Sequence, residues 1–480
     1  MNIRLTLRIL GALLLFLSVA LLLPIPFSLY YHDSALPALL LSSGITLVAG
    51  LLLFRFCRSS RELSLRDGFA IVTFAWVVYT LFGALPFVLS GAIPSPLDAC
   101  FETMSGFTTT GATILAQVET LPQSLLLWRA LTHWFGGMGI IVMSLAILPM
   151  LGVGGMQLFR AEVPGPTADR LKPRIQDTAK LLWGVYVLLT SVEVVLLMLG
   201  GMSFFDALCH AFATLATGGF STRNTSVAAY DSAYIDGVMT LFMFLAGANF
   251  SLHYYALRGR LGDFWRNEEF RCYLGITLFS ILALMWINHG TVYVSLLDNL
   301  RYSSFQVTSI MTTTGFGTAD YELWPVLAQY LLVFLMFIGG CAGSTGGGVK
   351  VARILLLFKH VHVQLFRLIH PRAVRLVKIG TTPVNHDVMQ SILGFFALYM
   401  GVFVIASFLM AASGLDLISA GASVIATLGN IGPGLGSVGP TDHYGHVAPF
   451  GKGVLIICML LGRLELFTVL VLIFPTFWRK

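Results

Sequence analysis

Four short tracts of Thr and Gly hold the residues best suited to chemistry in this chain. They are Thr108-Thr109-Thr110-Gly111, Ala216-Thr217-Gly218-Gly219-Phe220, Thr312-Thr313-Thr314-Gly315-Phe316 and Gly429-Asn430-Ile431-Gly432-Pro433. Each follows a short small-residue segment and precedes a long apolar one. Polar tracts between hydrophobic spans are costly in lipid unless they line a water-filled path. Consecutive backbone carbonyls in such a tract can replace the hydration oxygens of a cation. Glycine supplies the unusual backbone angles and the close approach this needs, and the Thr hydroxyl can bond neighbouring backbone or water. Small residues can also mark tight helix packing in membranes. Four tracts at equivalent places argue for one ring around one axis and for ion conduction.

Two further segments carry polar groups where lipid disfavours them. Gly339-Gly340-Cys341-Ala342-Gly343-Ser344-Thr345-Gly346-Gly347-Gly348-Val349-Lys350 is too rich in Gly to continue a helix, each Gly costing about 1 kcal/mol in a helix interior. A helix broken there exposes backbone groups that must face protein or water. It is not a Walker A loop: from Gly343 the lysine arrives one residue late and no Ser or Thr follows it. Gly462-Arg463-Leu464-Glu465 places two charges inside the last apolar span, at a cost of about 3 kcal/mol each. Arg463 faces either a cavity or a salt-bridge partner. Glu465, two residues on, points to another helix face.

The rest of the chain is built to hold such groups in a bilayer. Residues AVILMFWYC make up 56% of the 480 positions and charged residues 11%, with mean hydropathy +0.83; soluble domains carry about 25% charged residues. The net charge of +6 is not a nucleic-acid signature. Of the 29 Lys and Arg residues, all but Arg129, Arg223, Arg301, Lys452 and Arg463 fall in short segments between alternate spans. Placing those segments in the cytoplasm obeys the positive-inside rule and puts both termini inside. Six scattered cysteines show no C-x-x-C spacing, and eleven histidines no HExxH, so neither a disulfide framework nor a zinc site is expected. Arg4 and Arg8 precede an apolar run without a small-x-small cleavage site, which predicts a retained span.

The predicted fold is an all-α integral membrane protein with ten spans. Residues 1–60 read as a transmembrane hairpin of spans 5–27 and 36–56. Four copies of span, short helix, Thr/Gly tract and span follow, over residues 61–175, 176–265, 266–378 and 379–480. The short helices are expected at 96–107, 204–215, 298–311 and 416–427. Segments of 10–14 residues do not cross a bilayer, so these should re-enter on the outer face, opposite the basic loops. The second spans of the copies are predicted at 125–151, 235–257, 324–358 and 447–474. The fourth tract departs from the others, and alignment on Gly432 or on Gly429 is open.

At these residues the chain resembles the Trk/Ktr/HKT superfamily of potassium transporters over essentially its whole length, and its hairpin and Thr-rich tracts most resemble the TrkH branch. The resemblance implies four M1–pore helix–M2 repeats around one pore, potassium uptake across the bacterial inner membrane, and no enzymatic activity. It places the potassium filter at Thr109, Thr110, Gly111, Thr217, Gly218, Gly219, Thr313, Thr314, Gly315, Asn430, Ile431 and Gly432. It also implies a gate formed by Gly346, Gly347, Gly348 and Lys350 of the glycine loop with Arg463. Implied partners are a second copy in a homodimer, a cytosolic TrkA-type nucleotide-binding regulatory ring on the basic segment 350–378, and membrane lipid, with no nucleic acid. K+ is the transported ion and no covalent cofactor is implied. Tracts one and four lack an aromatic-Gly pair, which suggests weaker K+/Na+ discrimination than a TVGYG filter.

Other acidic residues have two readings. Glu102 and Asp98, Asp206, Asp298 and Asp416 could concentrate cations at an outer vestibule or cap the short helices; capping suits the Asp set better. Glu193 has no partner legible in sequence. Two other classes compete with a pore: a membrane enzyme on lipid-linked substrates, and a coupled organic-solute transporter. The first wants clustered acids or metal ligands at the membrane surface. The second more often shows inverted repeats with breaks at mid-bilayer, whereas here every tract lies on one side.

Overall fold

The computed structural model describes residues 2–57, 64–139, 175–373, 375–380 and 382–479. The regular structure of the described residues is helical, save for a two-residue antiparallel pairing of Lys378–Ile379 with Thr382–Pro383 in the basic segment and an isolated bridge between His289 and Tyr293.

The N-terminal hairpin pairs Ile3–Ala20, which turns into Ile25–Tyr31, with Leu36–Phe56. Small residues set how closely these helices approach: a Cβ on Gly11 would lie 2.6 Å from Phe54 N, and one on Gly50 3.0 Å from Leu15 N. Lipid offers no hydrophobic drive to pair helices, so close packing of this kind holds them. Leu40, Leu41, Val48 and Leu51 on the far side are exposed, as a lipid-facing surface requires.

Four arrangements of long helix, short helix and second helix follow. The long helices are Leu65–Gly83, Ile175–Leu199, Glu268–Asn288 and His386–Ala412. The short ones are Pro96–Phe107, Phe204–Leu215, Leu296–Met311 and Leu417–Leu428. At 1.5 Å per residue the 12-residue Pro96–Phe107 extends about 18 Å, well short of a ~30 Å hydrocarbon core. Each short helix is capped at its start. Ser95, Ser203 and Ser295 accept from the backbone N–H of Asp98, Asp206 and Asp298, while Asp416 accepts from Ile418 and Ser419. The cap is thus a serine in three copies, with the Asp three residues on, and an aspartate only in the fourth.

The second helices depart from the sequence expectation. None of the three that are described in full is continuous. Ala233–Ala246 and Phe250–Leu257 meet at 104°, and Pro449–Leu464 and the helix after it at 116°. In the third copy Val326–Ile338 gives way to the glycine loop before Val351–Ile369 resumes. The breaks have local causes. Gly247 lets the backbone approach Thr312, where a Cβ would lie 2.7 Å from its methyl, and Asn249 caps the next helix through Ser251 N. Glu465 takes φ 63°, a left-handed value that interrupts a helix. These breaks explain why, among the described residues, six helices, or eight counting bent pairs, are long and apolar enough to cross a membrane where ten spans were expected. The third copy's second span is split by the loop. The first copy's, expected over 125–151, is described only as Gln123–Met138. Its remainder lies outside the described residues, with Arg160, Arg170, Lys172 and Arg174; so do Arg58, Arg61 and Lys480.

Candidate functional site: a ring of four tracts and the loop beneath it

Each short helix ends in the same way, and that ending forms the site. Thr109, Thr217, Thr313 and Asn430 all have left-handed backbone, with φ of 52°, 54°, 61° and 55°. Their N–H groups donate to Gly106, Thr214, Ile310 and Thr427 carbonyls, and the next residue's N–H reaches back to Ser105, Ala213, Ser309 and Ala426. This is a Schellman ending, usually built with Gly or Asn at the left-handed position. A β-branched Thr there is strained, and strain of this kind persists where the surroundings over-determine it. Two residues on, Gly111, Gly219, Gly315 and Gly432 take φ of 81°, 80°, 84° and 99°. The backbone therefore aligns the fourth tract on Gly432, a choice that the sequence left open.

The tracts close on one another in chain order. A Cβ on Gly111 would lie 2.2 Å from the Gly218 carbonyl oxygen, and one on Gly219 2.1 Å from that of Thr314. On Gly315 it would lie 1.9 Å from Ile431 O, and on Gly432 2.7 Å from Thr110 O. Each glycine thus meets the carbonyl of the next tract, and the fourth returns to the first. The four glycines border one cavity of about 220 Å³. Helix C-termini carry partial negative charge, and four of them end at this ring. The arrangement presents oxygens and negative dipole ends to a shared space, which suits a partly dehydrated cation. No cluster of metal-ligating side chains occurs among the described residues.

The comparisons with known proteins agree with this geometry. The family model described as "Cation transport protein", TrkH, matches residues 42–480. The chain belongs to the TrkH family. It is 45% identical over full length to the Trk system potassium uptake protein TrkH of Salmonella typhimurium, and 46% identical to that of Escherichia coli K12, with 100% of each chain covered. The crystal structure of the potassium transporter TrkH from Vibrio parahaemolyticus superposes with a TM-score of 0.91 at 41% identity, covering both chains completely. Family membership makes this a transport protein, not an enzyme.

On the side of the ring away from the cavity lies the glycine loop of this TrkH-family chain. Gly347 N donates to Thr313 Oγ1 at 2.7 Å, and Thr345 Oγ1 to Leu215 O at 3.0 Å. A Cβ on Gly347 would come within 2.4 Å of Gly429 O. The loop therefore touches the end of the second short helix and the third and fourth tracts. The helix break at Gly247 serves it too: Gly247 O accepts from Cys341 N, and Gly343 O from Phe250 N. Arg463 joins the loop to the first copy, donating to Thr345 O at 2.6 Å and Gly136 O at 3.2 Å. Lys350 Nζ bonds Gly346 O. Gly348 packs on Gly339 at the loop's base, away from the ring.

Glu465 does not pair with Arg463. It binds Arg353 at 2.6 Å, on the helix that follows the loop. Among the described residues Arg463 is bonded only to carbonyls, and its Nε has no partner.

The acidic set above the ring has structural roles. Glu102 forms a buried pair with Arg129 at 2.6 Å and accepts from Thr113 Oγ1 and Ile114 N. Arg129 Nη1 donates to Ser221 O, and its guanidinium lies 3.5 Å from the Phe220 ring centre. One ion pair thus ties the exits of tracts one and two together, so Glu102 is neither a helix cap nor a free vestibule charge. Asp206 binds Arg223 and Thr222, and Asp98 binds Lys452. Glu193 is fully buried beside Thr214 of the second short helix. Arg129 was the available clue: a lone arginine in an apolar span needs a partner.

Proposed function

We propose that this chain carries potassium ions across the bacterial inner membrane through a single pore. The carrying observation is the closed ring of tract glycines and carbonyls; the named relatives, which are potassium uptake proteins, support the choice of ion. In this reading the filter comprises Thr109, Thr110 and Gly111, Thr217, Gly218 and Gly219, Thr313, Thr314 and Gly315, and Asn430, Ile431 and Gly432. The repeat units are residues 61–175, 176–265, 266–378 and 379–480, after a hairpin of residues 1–60. The ion enters from the outer cavity and sheds water onto carbonyls fixed by the Schellman endings. Bare Thr and Gly strands, without an aromatic-Gly pair in tracts one and four, give weaker K+/Na+ discrimination than a TVGYG filter.

Below the filter, Gly346 and Gly347 obstruct the path and Arg463 places a positive charge against it. Gly348 and Lys350 close the loop's base. Opening withdraws the loop from Thr313 and Leu215 and releases Arg463 from Thr345 O. Both termini are cytoplasmic, where the basic segment 350–378 receives a TrkA-type nucleotide-binding ring. The chain works as a homodimer among membrane lipids. No covalent cofactor takes part.

The test is rubidium-86 uptake into potassium-loaded proteoliposomes, with external potassium or sodium as competitor. Block by potassium and little block by sodium supports the reading. Equal block leaves a pore without potassium preference. Absence of uptake in both the wild type and Arg463→Ala rejects it.

A further inference from the structure

The four tracts are alike in backbone but not in side chain. At the residue after the left-handed position, tracts one, three and four carry Thr110, Thr314 and Ile431, all β-branched and all fully buried. Thr110 Oγ1 pairs with Thr108 Oγ1 at 2.8 Å, and Thr314 Oγ1 with Thr312 Oγ1 at 2.6 Å. Tract two has Gly218 there, preceded by Ala216 where those hydroxyls have their partner. Its backbone does not need glycine, since Gly218 is absent from the left-handed set.

What requires glycine is a histidine from another copy. A Cβ on Gly218 would lie 1.4 Å from His133 Nδ1 and 2.2 Å from its Cε1. The imidazole occupies the volume that the other tracts fill with their own side chain. His133 is fully buried, and neither ring nitrogen has a hydrogen-bond partner among the described residues. Leaving polar atoms unpaired in the interior is costly, so this ring is held by shape. It packs on Phe220 at 4.0 Å between ring centres. One helical turn earlier, Arg129 covers the same phenyl ring and binds Ser221 O. Arg129 and His133, on one face of Gln123–Met138, thus grip the second tract from behind.

We propose that His133 is a selectivity-determining positioning residue that supplies, from the first repeat, the side chain missing from the second filter strand. It holds the Gly218 carbonyl, which abuts Gly111, at the distance from the axis that the other strands reach with Thr or Ile. This rests on the filter reading given above.

The test compares wild type, His133→Ala, Gly218→Thr and the double variant by K+/Na+ permeability ratio in proteoliposomes, with melting temperature in detergent as a folding control. Removing the ring should lower the ratio about tenfold, because field and spacing of the carbonyls set discrimination. Gly218→Thr alone should abolish uptake, since its side chain and the imidazole claim one volume. Joining it to His133→Ala should restore uptake and bring the ratio back to within about threefold of wild type, a recovery expected of volume-conserving exchange. If His133→Ala does not fold, His133→Asn replaces it, keeping a planar group near the Nδ1 position but not the far edge, and should lower the ratio less. A wild-type ratio in folded His133→Ala or His133→Asn overturns the proposal, as does a folded double variant no better than Gly218→Thr. A wild type without potassium preference removes the filter reading and this inference together; selective wild type with an unchanged variant removes the inference alone.

Discussion

Asn430 Nδ2 donates to Thr110 Oγ1 at 2.9 Å, joining residues 320 positions apart. The same amide also reaches Met459 O at 3.0 Å. The one tract without a Thr therefore uses its Asn to fasten the last copy to the first, where the ring must close. Asn also tolerates left-handed backbone better than Thr, so this position combines a strain-free turn with a cross-ring bond. Asn430→Ala should lower potassium uptake more than Thr109→Ala, because Thr109 Oγ1 has no partner among the described residues. Rubidium uptake by the two variants side by side checks this; equal loss would reject it.

The four tract glycines should not respond equally to alanine. A Cβ would come closest to a carbonyl at Gly315, 1.9 Å, and least close at Gly432, 2.7 Å. Backbone cannot yield as a flexible side chain does, and an Ala at φ above zero is strained in addition. Uptake is expected to vanish in Gly315→Ala and to survive in part in Gly432→Ala. The reverse order in transport assays would show that the ring spacing is not what limits flux.

Among the described residues Arg463 is held by two carbonyls and by no carboxylate. Its removal should open the path without unfolding the chain, since the Arg353–Glu465 bridge that anchors the broken helix remains. Arg463→Ala reconstituted alone should take up rubidium faster than wild type. A rate at or below wild type would deny the arginine its place in the gate.

Glu102 and Arg129 form a buried pair with relative side-chain exposures of 0% and 4%. Breaking such a pair leaves an unpaired buried charge and costs about 3–5 kcal/mol. Glu102→Gln should lower the melting temperature in detergent markedly. Replacing both residues together should recover part of the loss, which a double-mutant cycle measures.

Asp33, in the loop of the hairpin, binds Ser28 Oγ at 2.5 Å, Ala35 N at 3.2 Å and Ser124 N at 2.9 Å. Burial alone would raise its carboxyl, but these bonds outweigh burial and hold it below the usual range. A depressed carboxylate stabilises the fold above its unfolded-state value, and that contribution disappears as pH falls through the folded-state value. Asp33→Asn should therefore be less stable than wild type near neutrality, with the difference shrinking in acid. Melting curves between neutral and acid pH test this, and a difference that does not narrow would assign the loss to another cause.

Composition and local pattern determined the class of this protein. Few charges and long apolar runs admit only a bilayer as solvent, and the recurring Thr/Gly tracts, each after a short capped helix, repeat because the local rules of caps and helix length are read along the chain. The broken helix at 339–350 was legible for the same reason, being a run of glycines. The breaks at Gly247 and Glu465 were not, because one glycine or one glutamate in an apolar run does not by itself end a helix. There the first break is held by backbone bonds to Cys341 and Gly343 of the loop, and the second by Arg353 on the helix after it. Tertiary structure alone decided the alignment of the fourth tract, the pairing of Glu465 with Arg353, the ion pair between Glu102 and Arg129, and the contact of His133 with Gly218. Each is a contact between chain segments brought together by helix packing, and the partner of a buried polar group is set by what lies across that packing, which no local spacing encodes.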